Sequence, residues 1–204
     1  MIILAGGGDP DQVREIDEWF AGQIDKEKRV VYIPVAMEES VFTYPECEAW
    51  FRESYAPYGI SNVEMWTDLR GKKLNDEIAA FFIGGGNTFK LLKQVREEGF
   101  AETLCEYEQK GGVVYGGSAG AILMGKTIET ALHADENSVG LDDFRGLDLL
   151  NGMDVWCHYA DEEREILNEY PHPAYVLREE SGLVFVNGQV RSLGAPYIQH
   201  TPKK

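Results

Sequence analysis

The 204-residue sequence predicts an α/β fold: a mainly parallel sheet with helices on both faces and short hairpin strands near the C-terminus. Three observations predict it. Short runs rich in β-branched and aromatic residues alternate with stretches whose apolar residues recur at helical spacing. Several of the runs, such as Val30–Val35, are apolar on both faces, as strands covered on both sides must be. The run Ala79–Ile83 closes in Gly84-Gly85-Gly86, and in a parallel sheet such a carboxyl edge is where ligands bind.

Met1–Ala5 is a first strand ending in Gly6-Gly7-Gly8. Val13, Ile16, Phe20 and Ile24 mark an amphipathic helix. After the strand at Val30–Val35, Pro45 opens a helix that carries Trp50, Phe51, Tyr55 and Tyr58. Val63 and Met65 alternate with polar residues in a further strand. The buried strand Ala79–Ile83 leads to a helix capped at Asn87 or Thr88, carrying Phe89, Leu91, Leu92 and Val95 and ending at Gly99. A second helix from about Phe100 to Gln109 returns to the strand Val113–Tyr115. Strands alternating with helices imply βαβ units. The last third differs: Lys126–Thr130 and Met153–Cys157 are strand-like, and Tyr175–Leu177, Leu183–Val186 and Val190–Leu193 are short strands with Asn187-Gly188 as a hairpin turn. No linker or repeat divides the chain, so residues 1–204 read as one domain.

The formal net charge of −16 argues against nucleic acid and anionic membrane surfaces as partners, because both are bound through clustered Lys and Arg. No apolar run is long enough to span a bilayer. The N-terminus lacks the basic region and long apolar core of a signal peptide, and the expected compartment is the cytoplasm. Cys47, Cys105 and Cys157 are widely spaced, with no disulfide framework and no metal-ligand pattern.

The sharpest motif is Gly116-Gly117-Ser118-Ala119-Gly120, a G-x-S-x-G match between the strand Val113–Tyr115 and the helix-like Ala121–Met124. That is the context of a nucleophile elbow, where glycines permit a tight turn that lifts the serine hydroxyl above the sheet. The Ala119 N–H stands where it can donate to an oxyanion, and Gly84-Gly85-Gly86 can supply a second donor. Gly6-Gly7-Gly8-Asp9 reads as a further loop at the same edge.

A serine needs a base. Of the four histidines, His158 follows the strand-like Met153–Cys157, which can bring it to the sheet edge. His172 stands between prolines, His133 lies in an acidic loop and His200 lies in a polar tail. Asp135 and Glu136 are the acids that follow Lys126–Thr130. Asp142, Asp143 and Asp154 remain open on the same grounds.

Taken together, Phe81–Leu92, with its Gly-Gly-Gly-Asn-Thr core, and the elbow Gly116–Ala121 resemble the peptidase E family of aspartyl dipeptidases, to which cyanophycinases are related. The resemblance runs from Met1 to about Leu193. It implies a class I glutamine amidotransferase-like fold with serine in place of cysteine, and no cofactor or metal. It also implies Ser118 as nucleophile, His158 as base, and Gly85 or Gly86 with Ala119 as the oxyanion hole. Asp135 would complete the triad, with Glu136 as the second choice. Asn87 and Arg164 would bind substrate, Arg164 reading the acidic side chain of an Asp-Xaa dipeptide. Two departures stand out: Trp156-Cys157 precedes the histidine where the dipeptidases have Asn-Pro, and the segment from His158 to Arg164 is short. A surface i,i+4 charge pair is the competing role for Arg164.

The expected function is therefore a serine peptidase acting on small peptides, as a monomer or homodimer. Two rivals are an α/β-hydrolase-type esterase using His200, and a non-catalytic module of the same fold that binds a small ligand.

Overall fold

The computed structural model describes residues 1–202. Its centre is a seven-stranded sheet in the order β3-β2-β4-β5-β1-β8-β9. Five strands run parallel: β1 (Ile2–Ala5), β2 (Arg29–Ile33), β3 (Val63–Met65), β4 (Ile78–Ile83) and β5 (Val113–Gly117). The last two, β8 (Ser181–Val186) and β9 (Gln189–Gly194), form a hairpin antiparallel to β1. Asn187, at φ 50°, and Gly188, at φ 76°, make its turn, as the Asn-Gly pair predicts.

Side chains alternate across the sheet, and each face has its own helices. Ile3, Val30, Tyr32, Phe82 and Tyr115 face α1 (Arg14–Ala21) and α2 (Tyr44–Tyr55), which contribute Ile16, Phe20, Phe51 and Tyr55. Ile2, Leu4, Val31, Phe81, Ile83 and Val114 face the other way. They pack against α3 (Thr88–Glu97), α4 (Ala101–Gln109) and α5 (Ala119–Leu123). Helix α2 opens with a reciprocal cap in which Glu46 accepts from the Thr43 amide and hydroxyl, with Pro45 in the first turn.

The chain between α5 and β8 departs from the expectation of one continuous sheet. Lys126–Thr130 is no strand: Thr127 makes an isolated bridge to Arg145, and Glu129–Ala131 is a 3-10 turn. Instead β6 (Asp154–Trp156), β7 (Ala174–Val176) and β10 (Ile198–His200) make a separate three-stranded sheet. Val155, Cys157, Tyr175 and Leu177 join the core beneath the main sheet. Trp156, Tyr170 and Val176 form a small core on the far side with Leu167 of α6 (Arg164–Glu169). Asp154 holds this unit to the elbow side: fully buried, it accepts from the Thr127 amide and hydroxyl and from the Tyr170 hydroxyl.

Candidate active site

The carboxyl ends of β1, β4 and β5 lie side by side, with Ala5 paired to Gly117 and Ile83 to Gly116. Their three glycine-rich loops therefore meet at one edge. At the end of β5 the chain turns sharply, and Ser118 has φ 51° and ψ −113°, a backbone an L-residue holds only under constraint. Three bonds provide that constraint: the Ser118 amide donates to the Ala5 carbonyl at 3.0 Å, and the Ser118 carbonyl accepts from the amides of Ala121 and Ile122. A Cβ at Gly116 would stand 2.5 Å from the Gly120 carbonyl oxygen, which is why the elbow needs glycine there.

His158 reaches the same edge, but not as part of the main sheet. It lies just beyond β6, its amide donating to the Gly6 carbonyl at 3.0 Å, with its own φ at 55°. The Ser118 Oγ and His158 Nε2 are 2.7 Å apart. The other ring nitrogen, Nδ1, is 3.4 Å from Glu179 Oε1, and the second oxygen of Glu179 accepts from Gln12 Nε2 at 3.2 Å. Hydroxyl, imidazole and carboxylate thus form a chain in the order Ser118–His158–Glu179.

The acids expected for this place are elsewhere. Asp135 accepts the Thr88 amide at 2.8 Å, at the start of α3. Glu136 meets Asn87 through its backbone carbonyl. Neither carboxylate hydrogen-bonds His158. Asp142, like them, makes no such bond; Asp143 pairs with Arg145 and Arg96, and Asp154 with Thr127 and Tyr170. Asn87 is a helix cap: its Oδ1 accepts from the Lys90 amide, and its Nδ2 donates to Glu136.

Gly85 lies over Ser118, since a Cβ there would stand 3.2 Å from Ser118 Cβ and 3.6 Å from its Oγ. Among the described residues, the amides of Gly85, Gly86 and Ala119 donate to no protein acceptor, so three N–H groups beside Ser118 are free. Gly7 is packed flat on the His158 ring; its φ of 119° is open only to glycine.

The other histidines are occupied away from Ser118. His133 stacks on Trp156 at 4.4 Å and meets Glu163 at 3.0 Å, and His172 meets Glu129 at 3.2 Å. His200, expected in a polar tail, is on β10, with Nε2 at 3.0 Å from the Tyr170 carbonyl. Arg164 is an exposed residue of α6 that pairs with Asp161 at 3.5 Å and does not line the cavity beside Ser118.

That cavity, of about 530 Å³, runs from Ser118 and His158 down between the sheet and helices α1 and α2. Its walls are aromatic, with Tyr32, Phe42, Trp50 and Phe82. At its floor Asp17, 3% exposed, accepts hydrogen bonds from the Tyr55 and Tyr115 hydroxyls, each at 2.9 Å and both onto Oδ1. Burial pushes the Asp17 carboxyl up to about 6, against the pull of the two tyrosine hydrogen bonds. Among the described residues, no lysine or arginine lines the cavity.

A serine on a strand–helix elbow, hydrogen-bonded to a histidine at the carboxyl edge of an α/β sheet, is the arrangement that defines serine hydrolases of this architecture. Within that class the chain belongs to peptidase family S51, whose model matches residues 1–193. A Peptidase E of Escherichia coli (strain K12 / DH10B) is 31% identical over 131 residues, which make up 64% of this chain and 54% of that protein. Peptidase E of Shigella boydii serotype 18 matches to the same extent, so the matched stretch spans about half the length of these curated relatives. Among solved structures, a candidate peptidase E protein from Listeria monocytogenes EGD-e superposes with a TM-score of 0.75 at 21% identity, covering 96% of this chain and 98% of that one. A peptidase from an acI-B1 Actinobacterium gives a TM-score of 0.68 at 18% identity, covering 100% and 94%. Both share the fold.

Proposed function

We propose that this chain is a serine peptidase that hydrolyses peptide bonds in small peptides through Ser118, His158 and Glu179. The 2.7 Å approach of Ser118 Oγ to His158 Nε2, in a member of a peptidase family, carries the reading. His158 takes the Ser118 proton as Oγ attacks the scissile carbonyl, and Glu179 holds the ring and offsets the imidazolium charge that forms. The tetrahedral oxyanion lies against the free amides of Ala119 and Gly85 or Gly86. His158 returns the proton to the leaving amine, and water then releases the acyl group by the reverse path.

Glu179 takes the role first expected of Asp135 or Glu136. The esterase reading loses its base, since His200 is bonded to the Tyr170 carbonyl. A preference for N-terminal Asp lacks support, because among the described residues the cavity offers an acidic side chain a carboxylate and no cation. The same reading takes residues 1–204 as one domain working in the cytoplasm; among the described residues, no helix is long and apolar enough to cross a membrane.

The test is an assay of wild type and Ser118→Ala on Asp-, Glu-, Leu-, Lys- and Ala-Xaa dipeptides. Cleavage by wild type that disappears in Ser118→Ala supports the mechanism. Equal cleavage by both proteins contradicts it.

A further inference from the structure

The cavity beside Ser118 combines features that a purely apolar pocket does not. Its walls are aromatic, and a single carboxylate, Asp17, is set into its floor. Both tyrosine hydroxyls donate to the same oxygen of that carboxylate, Oδ1. Among the described residues nothing donates to Oδ2, and Oδ2 is not among the side-chain atoms sealed from solvent without a partner, so it opens on the cavity. A buried carboxylate with one oxygen unpaired and no cation near it is costly to the folded protein, and such groups persist at sites that bind.

We infer that Asp17 is the specificity-determining residue of this site, its carboxylate receiving the ammonium or guanidinium of a lysine or arginine side chain on the acyl side of the scissile bond. The inference rests on the serine-peptidase reading above and adds a substrate class to it. Depth selects a long side chain. Val13 and Asp17 both line the cavity, and one helical turn of α1 sets Asp17 about 6 Å further in. Tyr115, which donates to Asp17, stands three residues before Ser118, or about 10 Å of strand. An α-amino group bound at the scissile carbonyl does not span that distance, whereas an extended lysine or arginine does. The rings of Tyr32, Phe42, Trp50 and Phe82 cover the aliphatic stem and favour a cation over their faces. The net charge of −16 draws cationic peptides toward the protein and repels acidic ones.

The experiment compares kcat/KM for Lys-Ala, Arg-Ala, norleucine-Ala and Asp-Ala dipeptides in wild type, Asp17→Asn and Ser118→Ala. Norleucine matches the lysine stem without the charge. The expected result is a Lys-over-norleucine ratio of at least tenfold in wild type, falling to within about twofold in Asp17→Asn. Asparagine keeps an oxygen for Tyr55 and Tyr115 to donate to, and a thermal melt checks that the variant is folded.

A second readout needs no variant. In wild type the Lys-over-norleucine ratio is expected to fall as pH drops through about 6, where Asp17 takes a proton. The groups that face Asp17 are Tyr55, Tyr58 and Tyr115, all uncharged in that range, and any change in the chemical step common to both substrates cancels in the ratio. A wild type that cleaves norleucine-Ala or Asp-Ala as well as Lys-Ala, with cleavage lost in Ser118→Ala, overturns the role of Asp17 and leaves the serine mechanism standing. No cleavage of any peptide, or cleavage that persists in Ser118→Ala, overturns both.

Discussion

Replacing Gly7 by alanine tests how tightly the first glycine loop sets His158. A Cβ built at Gly7 stands 2.6 Å from His158 Nδ1 and closer still to Cε1, where ordinary contact begins at 3.4 Å. The ring has to retreat by roughly 1 Å, and a misplacement of that size costs on the order of 100-fold in rate. The φ of 119° at Gly7 adds strain of about 1–3 kcal/mol, which the loop can relieve only by moving the Gly6 carbonyl that anchors His158. Both routes pull Nε2 off its 2.7 Å contact with Ser118 Oγ. The assay is kcat on the best dipeptide of the panel, read beside a thermal melt. The expected result is a fall in kcat of about 100-fold or more, in a protein that still unfolds cooperatively. A Gly7→Ala protein with kcat within threefold of wild type would refute the coupling of loop and ring.

Four more outcomes follow from the same geometry. Glu179→Gln should lower kcat by about 10–100-fold, less than loss of a fully buried triad acid, because Glu179 is half exposed and 3.4 Å from the ring. Asp135→Asn should instead lower stability by about 1 kcal/mol, measured by urea unfolding, because Asp135 accepts the Thr88 amide at the start of α3. Asp17→Asn should stabilise the protein at pH 7–8. Its folded carboxyl, at about 6, lies above the ordinary 3.8, so between those values the folded state holds the extra proton and stability falls as pH rises. The difference amounts to about 3 kcal/mol at most above pH 6 and should vanish near pH 4, as melts across that range will show. Arg164→Ala should leave Asp-Xaa and Lys-Xaa hydrolysis within twofold of wild type, since Arg164 is exposed, pairs with the neighbouring Asp161 and is not among the residues that line the cavity. A selective loss of Asp-Xaa cleavage would restore the arginine to the substrate site.

How much of this was legible in the sequence depended on whether a signal was local. The parallel strands declared themselves as apolar runs, and the elbow serine by its glycines and flanking elements. His158 was legible because it pairs with such a serine from the end of a strand, although that strand belongs to the small second sheet. Glu179 was not. It sits in an ordinary polar turn, Arg178-Glu179-Glu180, and reaches the site only because β8 runs antiparallel to β1, which sets its first residues beside the end of that strand. The direction of one strand is a long-range property that no local pattern in Leu177–Ser181 carries. Its one faint sign was the Asn187-Gly188 hairpin, which fixes the direction of β9 relative to β8 and says nothing of β1. Asp135 misled for a similar reason: proximity to the elbow in sequence suited a triad acid, but the helix start at Thr88 claims its carboxylate. The buried setting of Asp17 was invisible as well. On a helix with Glu15 and Glu18 beside it, only the two tyrosines from α2 and β5 distinguish it from a surface charge.

The central claim is that Ser118 is a nucleophile activated by His158. Its most direct test is the reaction of folded wild type, Ser118→Ala and His158→Ala with a serine-directed fluorophosphonate, followed by intact-mass spectrometry and peptide mapping. The account predicts one adduct on Ser118, none on Ser118→Ala, and labelling slowed by on the order of 100-fold or more in His158→Ala. An unmodified wild type, or an adduct formed equally fast without His158, would contradict it.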